Sequence, residues 1–338
     1  MSWHDRLGTV RSLQILLVVN SFASSVTARN TVVVHQELSR LHDVTIVETN
    51  RRGHATRFAQ DAANRGVEVV VAFGGDGTLN EVATGIAGTR TALGVLPGGS
   101  TNVFARTLGM PNDPVGAVKL LRMALADPDA HIHPIGLGKV NGRYFCFHAG
   151  IGYDAAVVRA VEHRASLKRW LGHPVFISAA VTTWARGYDR HQPHFRLCFG
   201  DGAGEEEVNR RIAPQADVVP DGYFTIMLNT NPYTYLGNRP LDLSPHARLD
   251  RPLVAVTFKT MKVGSILRSL AGALRGGGVE PSKYLDLHEG VTRAVVEHET
   301  PFPYQLDGDY LGESNRLEFV HVPDAVRLVD PSGLASLT

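Results

Sequence analysis

The stretch "VEVVVAFGGDGTLNEVATGIAG", Val67–Gly88, decides the fold of this chain. A run of β-branched residues ends in a loop of three glycines around Asp76, and a helical pattern follows at once. The helix is indicated by apolar residues at spacings of three and four, which are Leu79, Val82, Ala83, Ile86 and Ala87. The stretch therefore predicts a strand, a glycine loop and a helix, a unit typical of α/β proteins.

The same alternation of strand and helix continues on both sides of this unit. Further strands are indicated by "LQILLVV" (13–19), "DVTIVET" (43–49) and "TALGVL" (91–96), and further helices by residues 27–41, 54–66 and 101–108. Strands that are apolar throughout are typical of a parallel sheet with helices on both faces. We therefore expect an α/β domain with a parallel sheet over residues 1–132.

The pattern changes after residue 132, where short strands dominate. They are indicated by residues 194–200, 223–229, 252–260, 292–299, 304–311 and 316–322. Asn141-Gly142 predicts a tight hairpin turn, and residues 155–186 and 263–275 predict helical insertions. We expect a second domain over residues 133–322, a mostly antiparallel β-sandwich, with the C-terminal segment 323–338 a candidate for return to the first domain.

The composition argues against several classes of protein. The 338 residues include 34 Lys+Arg and 33 Asp+Glu, so a net charge of +1 offers no global field for nucleic acid. No secretory signal is evident, and no window approaches the ~18 consecutive apolar residues of a membrane span. Cys146 and Cys198 lie in apolar runs, which predicts buried thiols in a reducing compartment. We expect a cytoplasmic protein that contacts at most the inner face of a membrane.

Two glycine loops, "GGDGT" and "PGGST", predict an anion site. Each follows a strand of the predicted parallel sheet, and ligands of such sheets lie beyond the carboxyl ends of the strands. Gly74, Gly75 and Gly77 are expected to adopt left-handed or unusual backbone angles and to let the backbone approach a ligand. The helix N-terminus adds partial positive charge, so phosphate is the expected ligand.

The negative charge of Asp76 would repel a phosphate unless it holds Mg²⁺ or a water on that ion. Two alternatives are that the carboxylate orients a nucleophile, or that the loop is only a tight Asp-Gly turn with a helix cap. The second loop, which contains Ser100 and Asn102, favours metal-assisted phosphate chemistry over an isolated turn.

The two loops together resemble a known family. The combination of "GGDGTLNEV" and "LGVLPGGSTNVFAR" resembles the catalytic domain shared by diacylglycerol kinases, sphingosine kinases and bacterial lipid kinases. The resemblance extends to "VETNRRGHA", "VVPDGYFTIML" and "YQLDGDYLG". It implies a fold like that of NAD kinase and diacylglycerol kinase, ATP and Mg²⁺ as cofactors, and phosphoryl transfer to a lipid hydroxyl.

The loops and the resemblance together assign nucleotide binding to one set of residues. The set is Asn20, Thr49, Gly74, Gly75, Asp76, Gly77, Thr78, Leu79, Asn80, Glu81, Gly99, Ser100 and Asn102. The chain departs from the family at two nearby positions, because Ser21 replaces a usual proline and Val103 replaces a common aspartate.

The resemblance also implies a structural magnesium site and a catalytic base. The implied metal ligands are Asp221 and, through backbone oxygens, Val218 and Tyr223. The "DGD" run corresponds to an Asp-Gly-Glu in relatives, which makes Asp309 our first choice for the base and Asp307 the second, with Asp76 in the metal network. Asp309 is one methylene shorter than the family's glutamate. On local sequence alone, "LDGD" favours an Asp-Gly hairpin turn between strands, and the company of the other motifs favours the catalytic role.

A lipid kinase must reach a membrane surface, and two stretches combine cations with apolar or indole side chains. They are residues 159–190, with Trp170 and Trp184, and residues 259–277. Such composition suits an anionic bilayer surface, but it also suits an amphipathic helix packed on its own domain. Peripheral contact with a lipid surface is the expected partnership, no nucleic acid partner is expected, and a homodimer is left open.

The favoured function is an ATP- and Mg²⁺-dependent kinase that phosphorylates diacylglycerol or a related long-chain alcohol. One alternative is NAD kinase, which shares a "GGDGT" loop, although its second loop typically continues differently from "GGSTNVFAR". Another alternative is a catalytically weak nucleotide-binding regulator, suggested by the shorter side chain at Asp309.

Overall fold

The computed structural model describes residues 11–162, 173–200 and 217–331. Within them the chain divides into two compact units. The first contains the residues up to Ile135 together with those from Asp324 onward, and the second is Gly136–Pro323.

The first unit is built on a parallel sheet with the strand order β4-β3-β1-β2. Its strands are β1 (Gln14–Val19), β2 (Asp43–Glu48), β3 (Val69–Gly74) and β4 (Ala92–Pro97). Its helices are α1 (Ala28–Leu38), α2 (His54–Asn64), α3 (Asp76–Ile86), α4 (Val103–Thr107), α5 (Pro114–Leu125) and α6 (Pro128–His131). The predicted α/β domain with a parallel sheet is confirmed.

Burial explains why the inner strands are apolar throughout. Every residue of β3 and β4 is buried, and so is β1 after Gln14, whereas the edge strand β2 is largely exposed. On the far side of β4, Arg327 and Leu328 pair in parallel with Ala92 and Leu93. Because β3 and β4 are neighbours, their carboxyl ends place the two glycine loops side by side.

Helix α5 was not anticipated from the sequence. It begins at a cap in which the Asp113 carboxylate accepts the Gly116 amide, with Pro114 in the first turn. It packs against α1, where the Glu37 carboxylate lies 3.3 Å from the Arg122 guanidinium.

The second unit is rich in strands and mostly antiparallel, as predicted. Its strands are β5 (Ile132–Val140), β6 (Arg143–Phe145), β7 (His148–Gly152), β8 (Phe195–Gly200), β9 (Asp217–Gly222), β10 (Phe224–Leu228), β11 (Thr234–Leu236), β12 (Arg239–Leu241), β13 (Leu253–Phe258), β14 (Leu285–Val291), β15 (Arg293–Leu306) and β16 (Asp309–Val329). Its helical segments are α7 (Tyr153–Glu162), α8 (His173–Thr182), a π-helical turn (Thr183–Gly187) and α9 (Val263–Ala273).

The central strands of this unit run in the order β14-β13-β10-β7-β15-β16. The predicted turn at Asn141-Gly142 is confirmed, because both residues have positive φ angles, 45° and 87°, and join β5 to β6. Both cysteines are buried free thiols.

The strand β15 differs from the sequence prediction, which placed two separate strands at 292–299 and 304–311. The structure has one strand, Arg293–Leu306, with an irregularity between Glu297 and Phe302. Pro301 and Pro303 lie in or beside this irregular part. Proline cannot donate to a strand ladder, which is consistent with an irregular pairing at this point.

Among the residues that the structure describes, no helix is both long enough and apolar enough to cross a bilayer.

Candidate active site

Four glycines bring the loops after β3 and β4 into backbone contact. The Gly98 amide donates to the Gly74 carbonyl at 2.8 Å. A Cβ on Gly98 would lie 2.8 Å from Gly74 Cα, and one on Gly99 would lie 2.9 Å from Gly75 Cα. Gly75 has extended backbone angles (φ −83°, ψ 179°), so the left-handed angles expected from the sequence are wrong at this position. These glycines are required because the two loops approach so closely.

Asp76 ties the first loop to the second. Its carboxylate accepts the amides of Val103 (3.1 Å) and Phe104 (3.3 Å), the first residues of α4. Burial of this carboxyl raises its pKa, and the two amide hydrogen bonds oppose the rise. The aspartate is thus a helix cap, but for the helix after the second loop and not for its own.

Asn102 braces the second loop from within. It adopts a left-handed conformation with φ 49°, and its Oδ1 accepts the Gly99 amide at 2.7 Å. Its Nδ2 donates to the Gly99 carbonyl at 2.9 Å and to Asn112 Oδ1 at 2.7 Å. The side chain is buried, so its role in the structure is to hold the loop and not to face solvent.

Asn20 and Thr78 form a second contact, which joins the carboxyl end of β1 to the first turn of α3. Asn20 Nδ2 donates to Thr78 Oγ1 at 2.9 Å, and the Asn20 amide donates to the Phe73 carbonyl. Thr78 Oγ1 also lies 2.6 Å from the place where a Cβ on Gly74 would be. The absence of a side chain at Gly74 therefore leaves room for the threonine.

Three other members of the nucleotide set are held by main-chain contacts or by burial. Thr49 donates its amide to the Val19 carbonyl at 2.9 Å, and Leu79 is buried. Glu81 accepts the amides of Gly53 (2.8 Å) and Ala55 (3.1 Å), which caps the start of α2. These residues therefore stabilise the structure around the loops.

The surface of this cluster is formed by Gly77 and Ser100, which are both exposed, and by the half-buried Asn80. The Thr78 and Leu79 amides both donate to the Gly75 carbonyl, so they are used within the first turn of α3. In an α-helix the first amides have no acceptor within the helix, and they face outward from its N-terminus. The arrangement is suited to a phosphate group.

The "DGD" run of the second unit forms the hairpin turn that joins β15 to β16. Asp307 and Gly308 have φ angles of 49° and 85°, and Leu306 pairs with Asp309 across the turn. The buried Asp307 carboxylate accepts the amides of Cys146 (2.7 Å), Phe147 (2.9 Å) and His148 (3.1 Å). Asp309 is half-buried and begins β16.

A buried polar network supports this turn, and sequence reasoning missed it. Asp154 accepts hydrogen bonds from the Tyr233 hydroxyl and from Gln305 Nε2, the latter at 2.8 Å. Gln305 Oε1 in turn accepts the Gly308 amide at 2.8 Å. Burial raises the pKa of Asp154, against the effect of its two donors. The available signal was a carboxylate within the apolar run "GIGYDAAVV".

His148 lies against the same network. Its ring centroid is 4.5 Å from that of Tyr233, and among the described residues its Nδ1 has no hydrogen-bond partner. Burial lowers the pKa of His148 to about 3, so the ring is neutral at physiological pH.

The "PDG" segment gives Asp221 a protein partner. Asp221 Oδ1 lies 3.5 Å from Lys259 Nζ, and the Tyr223 carbonyl accepts the Tyr188 hydroxyl. Val218 lies on β9. The described residues contain no group of three or more His, Cys, Asp or Glu side chains suited to a metal. The site that the resemblance implies uses one carboxylate and backbone oxygens, and among the described residues the buried Asp221 Oδ1 has no hydrogen-bond partner, so the structural magnesium site stays a prediction.

Comparisons with known proteins agree with this fold and these motifs. Residues 14–133 match the family model of the diacylglycerol kinase catalytic domain. A probable YegS-like lipid kinase of Pseudomonas aeruginosa is 29% identical over 326 residues, which cover 95% of both chains. A diacylglycerol kinase of Bacillus subtilis is 43% identical over 106 residues, 31% of this chain and 33% of that protein.

A crystal structure of a diacylglycerol kinase from Bacillus anthracis superposes with a TM-score of 0.66 and 21% identity. It covers 95% of this chain and 98% of the other, and at this identity it shows the fold alone. Residues 14–133 thus match a diacylglycerol kinase catalytic domain, and the similar relatives are named lipid kinase and diacylglycerol kinase, which are phosphotransferases with an alcohol acceptor.

Proposed function

We propose that this protein is an ATP- and Mg²⁺-dependent lipid kinase that transfers the γ-phosphate to a hydroxyl of diacylglycerol or a related long-chain alcohol. The observation that carries the proposal is the pair of glycine loops, held together by Asp76 and by the Gly98–Gly74 hydrogen bond. Phosphoryl transfer requires mainly positioning and charge neutralisation, which a rigid cluster of amides can supply.

The first unit binds the nucleotide in this proposal. The amides at the start of α3 and the exposed Gly77 and Ser100 contact the phosphates, while Asn102 and Thr78 keep the loops in place. Mg²⁺, when bound with ATP, would neutralise phosphate charge. Both Asp76 carboxylate oxygens already accept amides, so we assign Asp76 to holding the loops in the binding geometry and not to inner-sphere metal binding.

The second unit supplies the base that accepts the proton of the acceptor hydroxyl. Asp309 is the better candidate because the Asp307 carboxylate accepts hydrogen bonds from three main-chain amides. Asp309 follows directly on the turn that Gln305 and Asp154 hold rigid. A positioned base contributes about 10²–10⁴-fold to the rate of such a reaction.

The test is incubation of the purified protein with γ-labelled ATP, Mg²⁺ and, separately, diacylglycerol, sphingosine, ceramide and NAD. We expect label in diacylglycerol or another long-chain alcohol and none when Mg²⁺ is replaced by a chelator. Label in NAD alone would refute the lipid kinase, and ATP binding without transfer to any acceptor would favour a regulator.

A further inference from the structure

Helix α9 carries apolar side chains on more than its buried side. Ile266 and Leu270 pack against the core cluster that contains Phe258 and Leu285, and Ala273 is fully buried. These contacts are enough to fix the helix on the second unit. They do not account for three large apolar residues that lie exposed beside this buried side.

Three exposed apolar side chains form a stripe along one edge of the buried side of the helix. Val263 is 42% exposed, Leu267 58% and Leu274, the residue that ends the helix, 41%. Their spacings of four and seven residues place them on one side of an α-helix. A contiguous apolar stripe of this kind marks a surface for interaction.

The surroundings of the stripe are positive. Lys262, Arg268, Arg275 and Lys283 are all exposed, and the chain contains no Asp or Glu from Lys259 to Val279. The nearby acidic groups are the exposed Glu280, and Asp242, whose carboxylate lies beside Gly276. The Nζ atoms of Lys262 and Lys283 lie 5.4 and 4.9 Å from the ring centroid of Tyr284. A hydrogen bond from Lys283 and the charge of both lysines lower the pKa of the Tyr284 hydroxyl, which is consistent with a positive local potential.

We propose that α9 and Leu274, with these four cations and Tyr284, form the surface by which the protein docks on an anionic lipid bilayer. Apolar residues rimmed by Lys and Arg, with an aromatic ring at the edge, match the apolar and anionic layers of such a surface. The inference rests on the proposed function, since a lipid kinase must reach an acceptor held in a bilayer.

Charge favours a bilayer over a second copy of the chain. A two-fold contact places the same surface patch on both sides of the interface. Pairing α9 with itself would bring the four cations of one copy against those of the other, without acidic residues from the helix to compensate.

The other basic stretch is less suited to this role where the structure describes it. Trp184 donates its indole N–H to the Met261 carbonyl at 3.1 Å, and the Arg190 guanidinium lies 4.2 Å from the Trp184 ring centroid. Both groups are therefore used within the second unit. Trp170 lies outside the described residues.

The apolar stripe is tested by the double variant Leu267→Ser/Leu274→Ser in the full chain, without nucleotide. Vesicles of equal parts phosphatidylglycerol and phosphatidylcholine are pelleted, and the bound fraction is measured. We expect the partition coefficient to fall at least about tenfold, because apolar area leaves the membrane. The matched control is Val32→Ser/Met123→Ser, whose side chains are 55% and 64% exposed in the first unit, and it should bind as the wild type does.

The cations are tested by Arg268→Ser/Arg275→Ser, with Arg29→Ser/Arg57→Ser as the control at other exposed sites. Each lost cation should weaken binding to the anionic vesicles about fivefold, and binding to pure phosphatidylcholine should hardly change. If both α9 variants bind anionic vesicles as the wild type does, or if the wild type does not bind them, the docking surface is wrong.

Kinase assays separate this inference from the proposed function. The α9 variants should lose transfer to diacylglycerol in vesicles but keep it toward a short-chain diacylglycerol in solution. Vesicle binding without transfer to any acceptor would refute the kinase and leave the docking surface standing. Sedimentation velocity is the last check, because a dimer that Leu267→Ser dissociates, with vesicle binding intact, would assign α9 to a second copy and overturn the inference.

Discussion

Carboxylates of this chain repeatedly serve as acceptors for main-chain amides. Asp76 receives two amides of α4, and Asp307 receives three from the segment that leads into β7. Hydrogen bonds to a charged acceptor are stronger than neutral ones, and loss of the acceptor leaves buried donors unsatisfied. At residue scale, these two side chains define the shape of both candidate sites.

Asp76→Asn should destabilise the first unit and weaken ATP binding together. The amide side chain keeps the size but offers only one acceptor oxygen, so one of the two α4 amides loses its partner. We expect the free energy of unfolding to fall by about 1–3 kcal/mol in urea titrations. An unchanged unfolding curve with activity lost would instead return Asp76 to the metal network.

Asp309→Asn and Asp307→Asn should have opposite signatures. Asp309→Asn should lower kcat by about 10²–10⁴-fold, because the amide cannot accept the proton of the acceptor hydroxyl. Asp307→Asn should lower the midpoint, because three amides lose a charged acceptor. Asp309→Glu is the control, and near-normal kcat would show that a carboxylate is what matters.

The buried His148 makes stability depend on pH. Its folded pKa, about 3, lies below the unfolded value of 6.5, so the unfolded chain takes up a proton first as the pH falls. Stability should therefore fall below pH 6.5, by at most about 1.4 kcal/mol per pH unit from this group. His148→Phe should remove that contribution in urea titrations at several pH values, whereas replacement of the exposed His191 should not.

The sequence could predict which residues are notable in each unit but not what each one does. The glycine loops and the "DGD" run stand out because glycine and aspartate are unusual beside apolar strands. Asp154 and Gln305 do not stand out, because their partners Tyr233 and Gly308 are distant in sequence. A charge in a loop suggests a ligand, and only coordinates show that main-chain amides satisfy it.

At the scale of elements, the feature that shapes the candidate site in the first unit is the close contact between the two glycine loops. A Cβ added to Gly98 would lie 2.7 Å from the Val26 side chain and 2.8 Å from the Gly74 backbone. Neither loop can yield without moving the end of a buried strand. A displacement of one loop therefore requires a displacement of the other.

Gly98→Ala should separate the loops and weaken ATP binding. We expect at least about a tenfold rise in Kd by calorimetry and a lower melting temperature, because overpacking displaces both strand ends. Gly264→Ala is the control, since an added Cβ there meets nothing within 4 Å. Equal affinity of the wild type and Gly98→Ala would mean that the contact does not shape the nucleotide site.

The elements that the sequence predicted best are those that a local sequence pattern is enough to identify. Continuous apolar runs gave β1, β3 and β4, and the Asn-Gly pair gave the β5–β6 turn. Helix α5 was missed although Asp113 and Pro114 mark its start, and β15 was divided at its prolines. The first error overlooked a local capping signal, and the second arose because pairing with a neighbouring strand continues β15 across its irregular part.

At the scale of the whole molecule, the charges nearly cancel, with 34 Lys+Arg against 33 Asp+Glu. The docking that we propose on an anionic membrane would therefore have to come from a local patch. Similarity over 95% of a YegS-like lipid kinase shows that both units belong to the related region.

Binding to anionic vesicles should consequently depend on salt. Raising NaCl from about 0.05 to about 0.5 M shortens the screening length severalfold and should release most of the bound protein. Binding of Arg268→Ser/Arg275→Ser should respond less to salt, because fewer charges are left to screen. A salt response equal to that of the wild type would place the attraction elsewhere on the protein.

The parallel pairing of Arg327 and Leu328 with β4 has a practical consequence for anyone who wishes to express the catalytic domain alone. A fragment trimmed to residues 14–133 leaves the hydrogen-bonding side of a wholly apolar strand bare, and bare strands recruit other chains. The bounds of the family match are therefore unsuitable as the bounds of an expressed fragment. Arg327 and Leu328, far outside residues 14–133, belong to the same sheet as β4.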